Sequence, residues 1–135
     1  MAAQREQASE GRAGGAPDYQ RAGGAPDGTA RFLHVQTTTD SRAEAMELAH
    51  DAVQARLAAC AQVAGPVAST FWWEDGIERA EEWMIILKLP ADRYAELAEF
   101  LLERHSYDEP EIVATPIIDG SAGYLDWIDE ETRPR

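Results

Sequence analysis

Apolar positions in this chain follow two periods, and the switches between them mark out the elements. Phe32-Leu33-His34-Val35-Gln36-Thr37-Thr38-Thr39 is rich in β-branched residues and predicts a first strand. Ser41-Arg42-Ala43-Glu44 then matches a capping box, with Ser accepting from the third helical N–H and Glu reaching back. Met46, Ala49, Val53 and Leu57 follow at helical spacing, flanked by Ala45, Leu48 and Ala52, so the helix is expected to pack closely on a sheet. Cys60 to Ala64 begins a second strand, interrupted at Gly65-Pro66 because proline cannot donate to a ladder. It resumes through Phe71-Trp72-Trp73 to Asp75-Gly76, the signature of a two-residue type I′ turn. The return arm closes on Trp83-Met84-Ile85-Ile86-Leu87, the most hydrophobic run in the chain.

Beyond the hairpin, Pro90 suits a first helical position, and Ala91 to Arg104 carries apolar residues at Tyr94, Leu97, Leu101 and at Ala98, Leu102. Leu89, just before it, offers no side-chain oxygen as a cap. Ile112 to Ile118 predicts a last strand, at an edge because of Pro116, and Ser121 to Glu131 a short terminal helix. The order strand–helix–strand–strand–helix–strand is the split βαβ, ferredoxin-like arrangement of the α+β class, with a C-terminal helix appended. Right-handed crossovers put the first and third strands at the centre and both long helices on one face. The second strand, with its Trp pair, then lies on an edge.

A single strand from Glu78 to Lys88 would be about 36 Å long at roughly 3.3 Å per residue. A domain of about 100 residues has a radius of gyration of about 13 Å, so part of the hairpin should overshoot its own core and seek another chain. Trp72, Trp73 and Trp83 are therefore candidates for an interface between subunits. Neighbours on one strand, Trp72 and Trp73 must face opposite sides of the sheet, and a turn at Asp75-Gly76 pairs Trp72 with Arg79.

Residues 1–31 contain RAGGAPD twice, at Arg12–Asp18 and Arg21–Asp27, and read as a disordered Gly/Ala/Pro-rich tail ahead of one domain spanning 32–135. The 135 residues carry a net charge of −13, which disfavours nucleic acid and favours cations as partners. No apolar run approaches the roughly 20 residues of a membrane helix, and the N-terminus has no apolar segment of the signal-peptide kind. The single Cys excludes an internal disulfide and suits the cytoplasm.

Cys60 on its apolar strand reads as a small buried hydrophobe rather than a ligand, and His34 and His50 as structural. The densest polar cluster is His105-Ser106-Tyr107-Asp108-Glu109-Pro110-Glu111. It has the donors to hold a cation or orient a polar ligand, and equally the composition of a solvated turn ending a helix. No nucleophile–base pair stands out, so the chain is not expected to be an enzyme.

Five pieces ordered along the chain carry a further signal: RLAACAQV at Arg56–Val63, STFWWEDGI at Ser69–Ile77, EEWMIILK at Glu81–Lys88, HSYDEPEI at His105–Ile112 and YLDWI at Tyr124–Ile128. In these the chain resembles the CutA family of small trimeric proteins named for divalent-cation tolerance. The resemblance implies a ferredoxin-like homotrimer similar to PII signalling proteins, with hairpins packed across subunits and a divalent cation such as Cu(II) as ligand. The copper positions it implies fall on Gln36, Arg104 and His105. A guanidinium has no lone pair to offer, which leaves His105 as the metal candidate. The likeness to PII proteins implies an alternative, a small metabolite held in clefts between subunits, with Gln36, Lys88, Tyr107 and Glu111 as lining candidates.

Overall fold

The computed structural model describes residues 30–134. The expected disordered tail, residues 1–31, thus lies outside the described residues except for Ala30 and Arg31. Among the described residues four antiparallel strands and three α-helices follow in chain order: β1 (Phe32–Thr39), α1 (Arg42–Gln54), β2 (Cys60–Trp73), β3 (Gly76–Pro90), α2 (Tyr94–Arg104), β4 (Val113–Ile117) and α3 (Ala122–Glu131). They form one sheet in the order β2-β3-β1-β4, so the first and third strands are central and the second is an edge, as the connection rules require.

Alternation along the central strands separates two faces. Leu33 and Val35 on β1 and Ile85, Leu87 and Leu89 on β3 point to the side covered by α1 and α2, whose Leu48, Ala49, Leu97 and Leu101 complete the main core. Alanines at 45, 49 and 52 let α1 approach the sheet closely. On the other face a smaller cluster of Phe32, Ala59 and Ile128, with Ile117 and Leu125, seats α3 over one end of the sheet. The rest of that face has no covering element among the described residues.

Local boundaries differ from expectation in three places. Trp73 pairs with Gly76, so the turn falls on Glu74-Asp75 and its positive φ of 55° is at Glu74. Because Gly76 is engaged in the ladder, Trp72 faces Ile77, and Arg79 faces Thr70 instead of Trp72. Pro90 ends β3, paired with Phe32, and a 3-10 turn at Ala91–Arg93 precedes α2, with no side-chain cap at either start. The capping box of α1 is half formed: the Ser41 hydroxyl accepts from the Glu44 N–H at 3.1 Å, but the Glu44 carboxylate turns elsewhere. At Ala64/Val67 the β2 register shifts around Gly65-Pro66. Glycine is needed at 65 because a Cβ would stand 2.7 Å from Cε3 of the Trp83 ring.

Candidate functional site

The polar stretch after α2 is folded inward at the base of the hairpin. The His105 side chain is 0% exposed. Its Nε2 lies 2.8 Å from the Thr38 carbonyl oxygen, which can only accept, so Nε2 carries the hydrogen. Its Nδ1 lies 3.0 Å from the Tyr107 backbone N–H, which can only donate. The ring is thereby fixed as the neutral Nε2–H tautomer with both nitrogens engaged. Burial lowers its pKa, outweighing the opposite pull of the Thr38 carbonyl and of Glu44, Asp40 and Glu82.

Tyr107 is also buried, and its hydroxyl donates to Glu82 Oε2 at 2.8 Å. Glu82 lies one residue beyond Trp83, the last β3 partner of β1. Burial first, and then the adjacent carboxylate, push the Tyr107 phenol well above its ordinary range. Glu44 completes the knot, accepting from the Thr39 hydroxyl at 2.6 Å, the Ser106 hydroxyl at 2.8 Å and the Ser106 N–H at 2.9 Å. Burial acts to raise its pKa, but these hydrogen bonds, helped by the nearby His105 ring, hold it below the usual carboxylate value. The knot joins the end of β1, the first turn of α1 and the loop after α2.

The uncovered sheet face carries a different set. Cys60, Lys88, His34 and Thr115 are successive cross-strand partners, one from each strand, and Gln62, Ile86, Gln36 and Val113 form the next row. Lys88 Nζ donates to Gln62 Oε1 at 3.0 Å and lies 5.8 Å from the centre of the Tyr124 ring. Gln36 Nε2 donates to Glu111 Oε2 at 2.9 Å. Burial, and then the charge of Lys88, lower the pKa of His34. At the far end of the hairpin Trp72 is 69% and Ile77 61% exposed.

Sequence reasoning therefore brought together some residues and misplaced others. Gln36 bonds Glu111 on the open face, whereas Lys88 bonds Gln62 and faces Tyr124. Tyr107, expected to line a cleft, is instead buried because its hydroxyl has a carboxylate partner inside the fold. His105, expected as a metal ligand, has no nitrogen free. Trp83, an interface candidate, is half-buried and packs against the core of its own chain, with Arg42 5.9 Å from its ring centre. Cys60 is half-buried rather than buried, in the wall of an open groove of about 830 Å³ with Met46, Val53 and Trp127. Glu44 and Glu82 were missed. Their only local signals are the capping-box position of Glu44 and the parity of Glu82 with Met84 and Ile86 on the strand.

The positions implied for copper do not fit that ion. Gln36 is held by Glu111, Arg104 is paired with Asp51 at 3.1 Å, and His105 is buried with both nitrogens bonded. Among the described residues no group of three or more His, Cys, Asp or Glu side chains is placed to hold a metal ion.

Fold and surface together define a small ferredoxin-like α+β domain with a sheet face uncovered among the described residues and a hairpin longer than its core. The model of the CutA1 divalent ion tolerance protein family matches residues 33–131, and the chain belongs to that family. The divalent-cation tolerance protein CutA of Archaeoglobus fulgidus is 40% identical over 73% of this chain and 94% of its own length. The chloroplastic protein CutA of Arabidopsis thaliana is 34% identical over 78% of this chain and 58% of its own. A solved structure titled as the periplasmic divalent cation tolerance protein CutA of A. fulgidus superposes with a TM-score of 0.73 at 37% identity, covering 76% of this chain and 99% of that one.

Proposed function

We propose that this protein acts in divalent-cation tolerance as a non-enzymatic homotrimer, attracting cations through its acidic surface rather than through a dedicated copper centre. The observation that carries the assembly is the hairpin itself. Past Trp83, β3 has only β2 beside it among the described residues, and a two-stranded ribbon alone in water is marginal at best. Subunit packing along this ribbon and the open face supplies the missing cover. Family membership supports the tolerance role, since the relatives carry it in their names. The cytoplasm is our assigned compartment, on the single cysteine, although named relatives include a chloroplastic and a periplasmic protein.

Binding through the net charge of −13 is diffuse, so salt should screen it. Titration calorimetry with Cu(II) is expected to show weak uptake that falls at high salt and is unchanged in a folded His105→Gln variant. Tight, salt-resistant uptake abolished by that change would restore a dedicated copper site. A second reading, a small metabolite held where subunits meet, is favoured by the polar pairs Gln36–Glu111 and Lys88–Gln62 on the open face.

A further inference from the structure

Lys88 is the only lysine in the chain, which has 25 acidic residues. Arg31, Arg56, Arg93 and Arg104 each hold a carboxylate within 3.2 Å. Lys88 makes no such ion pair among the described residues. The residue is half-buried on a central strand, and its ammonium meets a neutral amide, Gln62, and the face of Tyr124. Beside it in the row stand His34, whose lowered pKa favours the neutral ring at neutral pH, and the hydroxyl-bearing Thr115. An ammonium that loses its remaining water when a second copy closes over this face needs a negative charge with it.

We propose that Lys88, with Gln62, His34 and Thr115 around it, is an oxyanion site that takes a small carboxylate or phosphate where subunits meet. On a second copy presenting the same face, Glu78 shares the parity of Lys88 but stands ten residues along β3 from it, out on the ribbon. On that face Glu82 accepts from Tyr107 and Glu111 accepts from Gln36. A free anion therefore completes the site. The ammonium supplies the charge, and Gln62, His34 and Thr115 supply neutral donors that a carboxylate or phosphate oxygen accepts. This deepens the metabolite reading and rests on the open face being the assembly face.

The test is calorimetry and thermal melting of the full chain with sodium phosphate and with sodium succinate, against sodium chloride at matched ionic strength. Parent, Lys88→Met, Lys88→Arg and, as a control cation on the hairpin, Arg79→Gln are compared, with light scattering on each. We expect one of the two anions to raise the parent Tm beyond chloride. Lys88→Met should weaken that anion at least tenfold at unchanged mass, while Lys88→Arg and Arg79→Gln retain the response. Phosphate alone or succinate alone would name the oxyanion class. Equal responses in parent and Lys88→Met would overturn the site. No anion response in the parent, with dissociation of Lys88→Met, would mean that a carboxylate of a second copy occupies the ammonium, and would also overturn it. A monomeric parent that still binds the anion through Lys88 would keep the site and remove only the assembly reading.

Discussion

The two halves of β3 sit in the same ladder with β2 but in opposite surroundings. Toward its C-terminal end Ile85, Leu87 and Leu89 are 0% exposed, with β1 alongside and helices over them. Toward the turn Ile77 is 61% exposed, opposite a Trp72 that is 69% exposed, with no third strand among the described residues. Forming a strand and burying it are thus separate problems. Backbone pairing alone carries the outer half out from the core, and its large apolar side chains are left to be covered by something else.

Breaking the inner half should have the largest effect. Leu87→Ala opens a cavity in the main core and is expected to lower stability by about 2–5 kcal/mol in denaturant unfolding. A loss below about 1 kcal/mol would mean that the inner strand is less tightly packed than its burial implies. Next is the junction between the halves. Tyr107→Phe removes the hydroxyl from the buried Glu82 carboxylate and should cost about 1–3 kcal/mol. An unchanged midpoint would mean that Glu82 reaches water without Tyr107.

A smaller effect tests the knot behind that junction through pH. His105 has its folded pKa lowered from 6.5 by burial, so the unfolded chain binds the proton more readily. Its contribution is present above that value and is lost as pH falls below it, with a slope of at most about 1.4 kcal/mol per pH unit. Glu44, held below its ordinary 4.5 by its donors, adds a loss that begins lower, as pH falls through that range. Unfolding midpoints from pH 8 to 5 should decline in the parent and flatten in His105→Gln; parallel curves would remove His105 from the acid response. The smallest effect belongs to the outer half, where Ile77→Ala should change subunit stability by no more than about 0.5 kcal/mol.

Much of this was legible in the sequence for a physical reason. Apolar periodicity is local, so the elements, the strand order and the overlong hairpin follow from it with crossover handedness. The turn lies one residue earlier than expected, which moves every partner by two, because Asp75-Gly76 is a strong turn signal whereas the ladder draws Gly76 into pairing with Trp73. The site was less legible because its partners are remote. Ser106 meets Glu44 from 62 residues away, and Tyr107 meets Glu82 from 25. Nothing in His105-Ser106-Tyr107 read alone says that the stretch turns inward. Only pairing with Thr38, Glu44 and Glu82 makes burial of so many polar groups tolerable.

The central claim, that the outer hairpin is covered by further copies of the chain, is tested most directly by light scattering on the parent and on a Trp72→Asp, Ile77→Asp variant. Both positions are exposed in the single subunit, so the changes should leave its fold intact by circular dichroism. We predict a trimeric parent and a dissociated, folded variant, because two carboxylates buried without partners cost several kcal/mol each. A monomeric parent would contradict the account, and a variant that remains trimeric would show that this ribbon is not what holds the copies together.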